Sequence, residues 1–167
     1  MMKLVRFIGT VVLVWLCVAT ARYYDPVPMT HIDGAVPEQK TYQKACAFDE
    51  AGMKTCRETS FYLWRLPAGG TITTTWKPGR SDIEIVTGTL IHESHECPDS
   101  RIEWSIVTDR NAGGTLTDDD PKAQLNIPVQ QSVRHITLSL RRLDTVTCAS
   151  ALRWVDPRLQ PRYKLLP

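Results

Sequence analysis

The stretch RHITLSLRR (residues 134–142) decides how the chain is read. In an extended backbone Ile136, Leu138 and Leu140 fall on one side, and Thr137, Ser139 and Arg141 on the other, because successive side chains of a strand point to opposite faces. Such alternation marks a strand covered on one face only. The same period recurs on both sides of it. Upstream, Ile102, Trp104 and Ile106 alternate with Glu103 and Ser105, and Ile72, Thr74 and Trp76 with Thr71, Thr73 and Thr75. Over residues 82–91 the pattern sets Ile83, Ile85 and Ile91 against Asp82 and Glu84. Leu125, Ile127 and Val129 alternate with Gln124 and Asn126, and Cys148, Leu152 and Trp154 share one side of the final run.

Turn-forming residues separate these runs at 67–70, 77–80, 98–100, 111–114 and 118–121. No long segment has helical periodicity, and strands do not alternate with helices as a parallel sheet would require. Six or seven strands at this spacing predict an all-β fold, an antiparallel β-sandwich of jelly-roll type in one domain over residues 41–167, with an open barrel as the structural alternative. Residues 41–58 hold two cysteines and fit either a short helix or a looped hairpin.

Outside this domain the chain opens with Lys3 and Arg6, an apolar run over residues 7–18, and the small residues Ala19, Thr20 and Ala21. That is the layout of a secretory signal peptide, residues 1–21, cleaved after Ala21. An uncleaved membrane anchor is the competing reading, but the run is shorter than the roughly 20 apolar residues of a spanning helix, so no stable span is expected after processing. Residues 22–40, with Pro26, Pro28, Gly34 and Pro37, read as a tether. The protein is accordingly expected to be secreted, periplasmic or extracellular.

Lys and Arg number 20 against 18 Asp and Glu, and loss of Lys3 and Arg6 leaves 18 of each. A neutral domain lacks the basic surplus that general phosphate attraction requires, so nucleic acid is not an expected partner. Removal of Cys17 leaves Cys46, Cys56, Cys97 and Cys148, an even set in a chain bound for an oxidising compartment. Three pairings are open; Cys46 with Cys56 and Cys97 with Cys148 are favoured, one closing a local loop and the other tying distant strands. The paired CxxC spacing of structural zinc sites is absent.

The segment ITLSLRRLDTVTCASALRWVDPRLQP (residues 136–161), and with it RIEWSIVTDR (residues 101–110), resembles the closing and central strands of galactose-binding-like jelly rolls, especially NPCBM modules, which occur beside glycosidases. Ile136, Leu138 and Leu140 match the aliphatic strand, and Ala149, Ala151, Trp154, Asp156 and Leu159 the small-residue strand that follows. The resemblance implies carbohydrate binding, and sugar modules of this kind often hold a structural calcium. Asp118, Asp119 and Asp120 supply hard oxygen donors for such an ion, but their spacing is not that of an EF-hand loop, and a solvated acidic turn ending at Pro121 is the reading preferred over calcium.

Candidate ligand-binding residues are Tyr62, Trp64 and Trp76, whose ring faces can stack on a sugar, together with Arg80 in the turn that follows; for Trp64 and Trp76 a place in the core is an equal alternative, and Trp104 and Trp154 share the aliphatic face of their strands and are expected in the core. His92, Glu93, Ser94, His95 and Glu96 crowd metal-ligand residue types, but without HExxH spacing they read as a polar loop. No catalytic residues are assigned: there is no G-x-S-x-G elbow and no glycine-rich phosphate loop. The expected function is therefore non-catalytic recognition outside the cytoplasm, with a carbohydrate or surface glycan as partner and no cofactor beyond the calcium. An interaction subunit with an envelope protein partner is the alternative, and a small secreted hydrolase or inhibitor a weaker one.

Overall fold

The computed structural model describes residues 27–48, 54–130 and 132–162, so the signal-peptide segment and the beginning of the tether lie outside the described residues. Ten strands follow one another: β1 (Met29–Gly34), β2 (Glu38–Phe48), β3 (Lys54–Leu66), β4 (Thr71–Pro78), β5 (Ile83–His92), β6 (Ile102–Val107), β7 (Asn111–Leu116), β8 (Lys122–Pro128), β9 (Ile136–Arg142) and β10 (Ser150–Pro161). One 3-10 turn, Ser94–Glu96, interrupts the connection between β5 and β6. The strands form two antiparallel five-stranded sheets ordered β1-β4-β9-β6-β7 and β2-β3-β10-β5-β8. Only the hairpins β2–β3 and β6–β7 stay within a sheet, and every other connection crosses between sheets. The fold is an all-β, two-sheet sandwich of jelly-roll type.

Period two places the core. Trp76, Ile102, Ile106, Ile136, Leu138 and Leu140 from the first sheet meet Trp64, Leu66, Val86, Leu90, Leu152 and Trp154 from the second in one apolar cluster. Thr74 is the polar member of this layer: its Oγ1 accepts a hydrogen bond from Trp64 Nε1 (2.9 Å) and donates one to the Ala35 carbonyl (2.9 Å). The indole N–H is thus satisfied across the sheets, where leaving it unpaired would cost about 1–3 kcal/mol.

Several expectations need correction. The tether expected at 22–40 instead contributes β1 and the start of β2, with Met29 paired to Pro78 and Glu38 to Leu63. Residues 111–114, expected as a turn, form most of β7, which pairs with β6 along its whole length. In β5 the inward residues are Val86, Leu90 and His92, so Ile91 points away from the core; a register shift opposite β10 near Ile83 breaks the period there. Residues 41–58 resolve as the β2–β3 hairpin, in which Cys46 stands directly across from Cys56 and is bonded to it. Cys97 bonds Cys148, 51 residues away, joining the β5–β6 and β9–β10 connections.

One glycine is demanded by this packing. Gly88 in β5 has φ +135°, and a Cβ there would stand 2.3 Å from Trp154 Nε1. Backbone conformation and space both forbid a side chain at this point. Gly88→Ala is expected to destabilise the fold by about 3 kcal/mol, read as a lower urea midpoint with an unchanged slope; a wild-type midpoint would refute the close contact.

Candidate functional site

The aromatic residues put forward as a binding platform lie inside the protein. Trp64 and Trp76 are 3% and 1% exposed, and with Tyr62 and Trp154 they form a cluster whose ring centroids lie 5.6–6.4 Å apart. Tyr62 and Trp64 do share a face of β3, as their spacing required, but it is the face that meets the other sheet. The platform expectation is therefore overturned at Trp64 and Trp76, because closing the core uses the ring surface that stacking would need. Arg80 lies apart from them, held on the Asp82 carboxylate by bonds of 2.9 and 2.6 Å.

Asp118, Asp119 and Asp120 take the acidic-turn arrangement. No three His, Cys, Asp or Glu side chains among the described residues are placed to share an ion. The Asp118 carboxylate accepts the Asp99 backbone N–H (2.8 Å), tying the turn to the β5–β6 connection, while the Asp120 N–H goes to Thr117 Oγ1 (3.1 Å) within the turn. In the His92–Glu96 segment the residues separate: His92 is buried, whereas His95 is exposed beside Glu93.

His92 has the company of a nucleophile and base without access to a substrate. Its Nε2 lies 2.8 Å from Ser100 Oγ and 2.9 Å from Ser150 Oγ, and Ser100 Oγ donates to the Cys97 carbonyl at 2.6 Å. All three side chains are buried. Burial is the main influence on the imidazole and holds its pKa below the usual histidine value, while the Thr117 backbone beside it pulls the other way. Next to this knot the buried Arg142 guanidinium donates to the carbonyls of Leu66 (3.1 Å), Cys148 (2.8 Å) and Val146 (3.0 Å) and pairs with Asp144. Together with the Cys97–Cys148 bond these contacts lock one end of the sandwich.

The accessible site is on the outer face of the first sheet. Cross-strand register sets its outward side chains in rows. Thr71, Arg141, Glu103 and Thr115 make one row, and Thr73, Ser139, Ser105 and Gly113 the next. Thr75, Thr137, Val107 and Asn111 make the third. The middle row consists of small residues between taller neighbours, so a trough crosses β9, β6 and β7, enclosing about 510 Å³. Sheet geometry makes it roughly 10 Å long across three strands, with the bounding rows about 13 Å apart. Its lining is hydroxyls from Thr71, Ser105, Thr115 and Ser139, the Asn111 amide, and the Arg141–Glu103 ion pair at 2.8 Å. Gly113 has to be bare, since a Cβ there would stand 2.8 Å from the Trp104 carbonyl oxygen. None of the residues first put forward as ligand-binding lines this trough.

No family model matches the chain, and no curated protein does. Among solved structures it is similar to CBM51 from Clostridium perfringens GH95 in complex with methyl-galactose, at 14% identity over 78% of this chain and 94% of that one, with a TM-score of 0.41. TmCBM61 in complex with beta-1,4-galactotriose is 10% identical over 74% and 88%, with a TM-score of 0.38. The Drosophila NLP-core, described for pentamer formation and histone binding, is 10% identical over 57% and 95%, with a TM-score of 0.36. Likeness at this level says nothing of a ligand for this chain.

The locked end has a pH signature. With the folded His92 pKa below the ordinary 6.5, the unfolded chain takes up the proton first; the contribution of His92 to stability is full above about pH 6.5 and is lost as the pH falls below it. Asp144 is held at about 2, chiefly by its hydrogen bond from Arg142, so its contribution is present above the ordinary 3.8 and is lost as the pH falls towards 2. The thermal midpoint should fall in two stages on acidification. His92→Gln should remove the first stage and His95→Gln should not; a first stage that persists in His92→Gln would exclude the buried imidazole as its source.

Proposed function

We propose that the protein is a non-catalytic recognition module that binds a carbohydrate chain outside the cytoplasm, in the trough on the outer face of the first sheet. The observation that carries this reading is the trough's lining. Its close-set hydroxyls, amide and exposed ion pair offer alternating donors and acceptors at short spacing, as a polyhydroxylated ligand requires. Val107, 43% exposed in the adjoining row, adds an apolar surface for the C–H face of a sugar ring. Export is inferred from the signal-like residues 1–21 and agrees with two disulfides in a small domain. The resemblance of residues 101–161 to NPCBM-type jelly rolls points the same way.

The rival readings find less support. An assembly subunit calls for an uncovered apolar face. Among the described residues the exposed large apolar side chains, Ile32, Val36, Tyr42, Val107 and Leu143, sit singly on separate segments. A serine hydrolase built on His92 would need a hydroxyl and an imidazole that substrate can reach, and the His92–Ser100–Ser150 knot is buried.

Ser139 stands on the trough floor with its side chain outward, so Ser139→Tyr fills the trough without entering the core. On an array of neutral and anionic glycans the wild-type protein is expected to bind a restricted set. Ser139→Tyr should lose that binding by tenfold or more, about 1.4 kcal/mol, with its thermal midpoint unchanged. A blank array, or equal binding by a folded Ser139→Tyr variant, would sink the proposal.

A further inference from the structure

The outward ladder that forms the trough does not stop at the third row. On β4 the next outward residue after Thr75 is Lys77, and ahead of Thr137 on the neighbouring chain segment stands His135. Both line a second cavity of about 360 Å³, together with Arg80 and Ser81 from the β4–β5 turn and Arg134 from the β8–β9 connection. Asp82 neutralises Arg80. Lys77, Arg134 and His135 have no carboxylate partner among the described residues.

These groups stand on tied backbone. The Val133 N–H donates to the Ser81 carbonyl (3.2 Å), and the Gly79 N–H to that of Pro28 (2.8 Å). Arg162 reaches the carbonyls of Val129 and Gln130, at 3.0 and 2.9 Å, and braces the same connection. Uncompensated cations gathered at one concavity repel one another, and an arriving anion relieves that repulsion in proportion to how well they are positioned beforehand. A neutral sugar would leave Lys77 and Arg134 with nothing to pair.

From this we infer that the ligand is an anionic glycan: hydroxyls seat in the trough while a carboxylate or sulfate group is held at the basic pocket by Lys77 and Arg134, with His135 beside them. The inference rests on the trough reading for its sugar and on the pocket alone for its charge. Four residues of strand separate Ser139 from His135, about 13 Å at strand rise, so a short oligosaccharide that leaves the trough over Thr137 and follows β9 reaches both. Arg80, already satisfied by Asp82, shapes the wall.

Calorimetric titration with two matched pairs tests it: an oligogalacturonate against its carboxyl-reduced form, and a heparin oligosaccharide against its desulfated form. At low salt the anionic member of at least one pair should bind about tenfold more tightly than its neutral counterpart, with the advantage shrinking as salt is added. The pair that shows it identifies the anion as carboxylate or sulfate. In the double variant Lys77→Gln, Arg134→Gln, both exposed positions, the ratio should fall to about one. Equal affinity within both pairs, an anionic preference that survives the double variant, or no binding to either pair overturns the anionic assignment. Ser139→Tyr separates the two proposals: binding that responds to the double variant but not to Ser139→Tyr keeps the anion site and refutes the trough, and the reverse keeps the trough and refutes the anion site.

Discussion

Trp76 and Trp154 come from opposite sheets and meet edge to face, with ring centroids 5.6 Å apart. Both are fully enclosed, at 1% and 0% exposure. Two indoles in contact set how closely the sheets approach, and the other inward residues fill the space that this spacing leaves. The consequences reach the surface. Gly88 is bare because the Trp154 ring occupies the place of its side chain, and Thr74 is a threonine where aliphatics dominate because the Trp64 N–H needs an acceptor. With Trp76 turned inward, Thr71, Thr73 and Thr75 of β4 are turned outward, so the packing that takes the aromatics from the surface is what furnishes it with hydroxyls.

Strands with one dry and one wet face announced themselves in the sequence. β4, β6, β8 and β9 are legible from alternation, and the disulfide pairing from the difference between a local and a distant closure. β1 and β7 were not legible. At an edge position MTHIDG has only Met29 and His31 partly covered, and NAGGTL has only Ala112 and Gly114 ahead of Leu116 on its inward face, too small to mark the period. β3 hides its alternation for the opposite reason: Phe61 and Leu63 pack in a second apolar cluster on the outer side while Tyr62 and Trp64 face the core, so the sequence is apolar at every step.

The site was illegible for a related reason. A search for binding residues in sequence is drawn to large aromatics, and here those residues belong to the core. The trough is defined by what is missing at Ser139, Ser105 and Gly113, three small residues on three strands. Their adjacency exists only once β9, β6 and β7 are in register. An outward serine or glycine carries no signal by itself, because exposed strand positions accept them freely. A row of them does, and rows are a property of pairing rather than of any one segment.

Arg141 and Arg142 show how the two faces divide the work. One residue apart on a strand, they point in opposite directions. Arg142 is enclosed, spends its donors on three carbonyls and Asp144, and sits against the Cys97–Cys148 bond; removing it would strand a mostly buried carboxylate, a loss of about 3–5 kcal/mol. Arg141 pairs with Glu103 at the surface, where such a contact adds about 0–1 kcal/mol to stability. The weakness of that outer pair is what makes it serviceable. Under the proposed function a ligand would exchange bonds with either partner at little cost to the fold, while Arg142 and the disulfide hold the backbone beneath them still. Rigidity at the locked end thus holds the trough wall in place, and under the proposed function the ordering costs of binding would be met during folding.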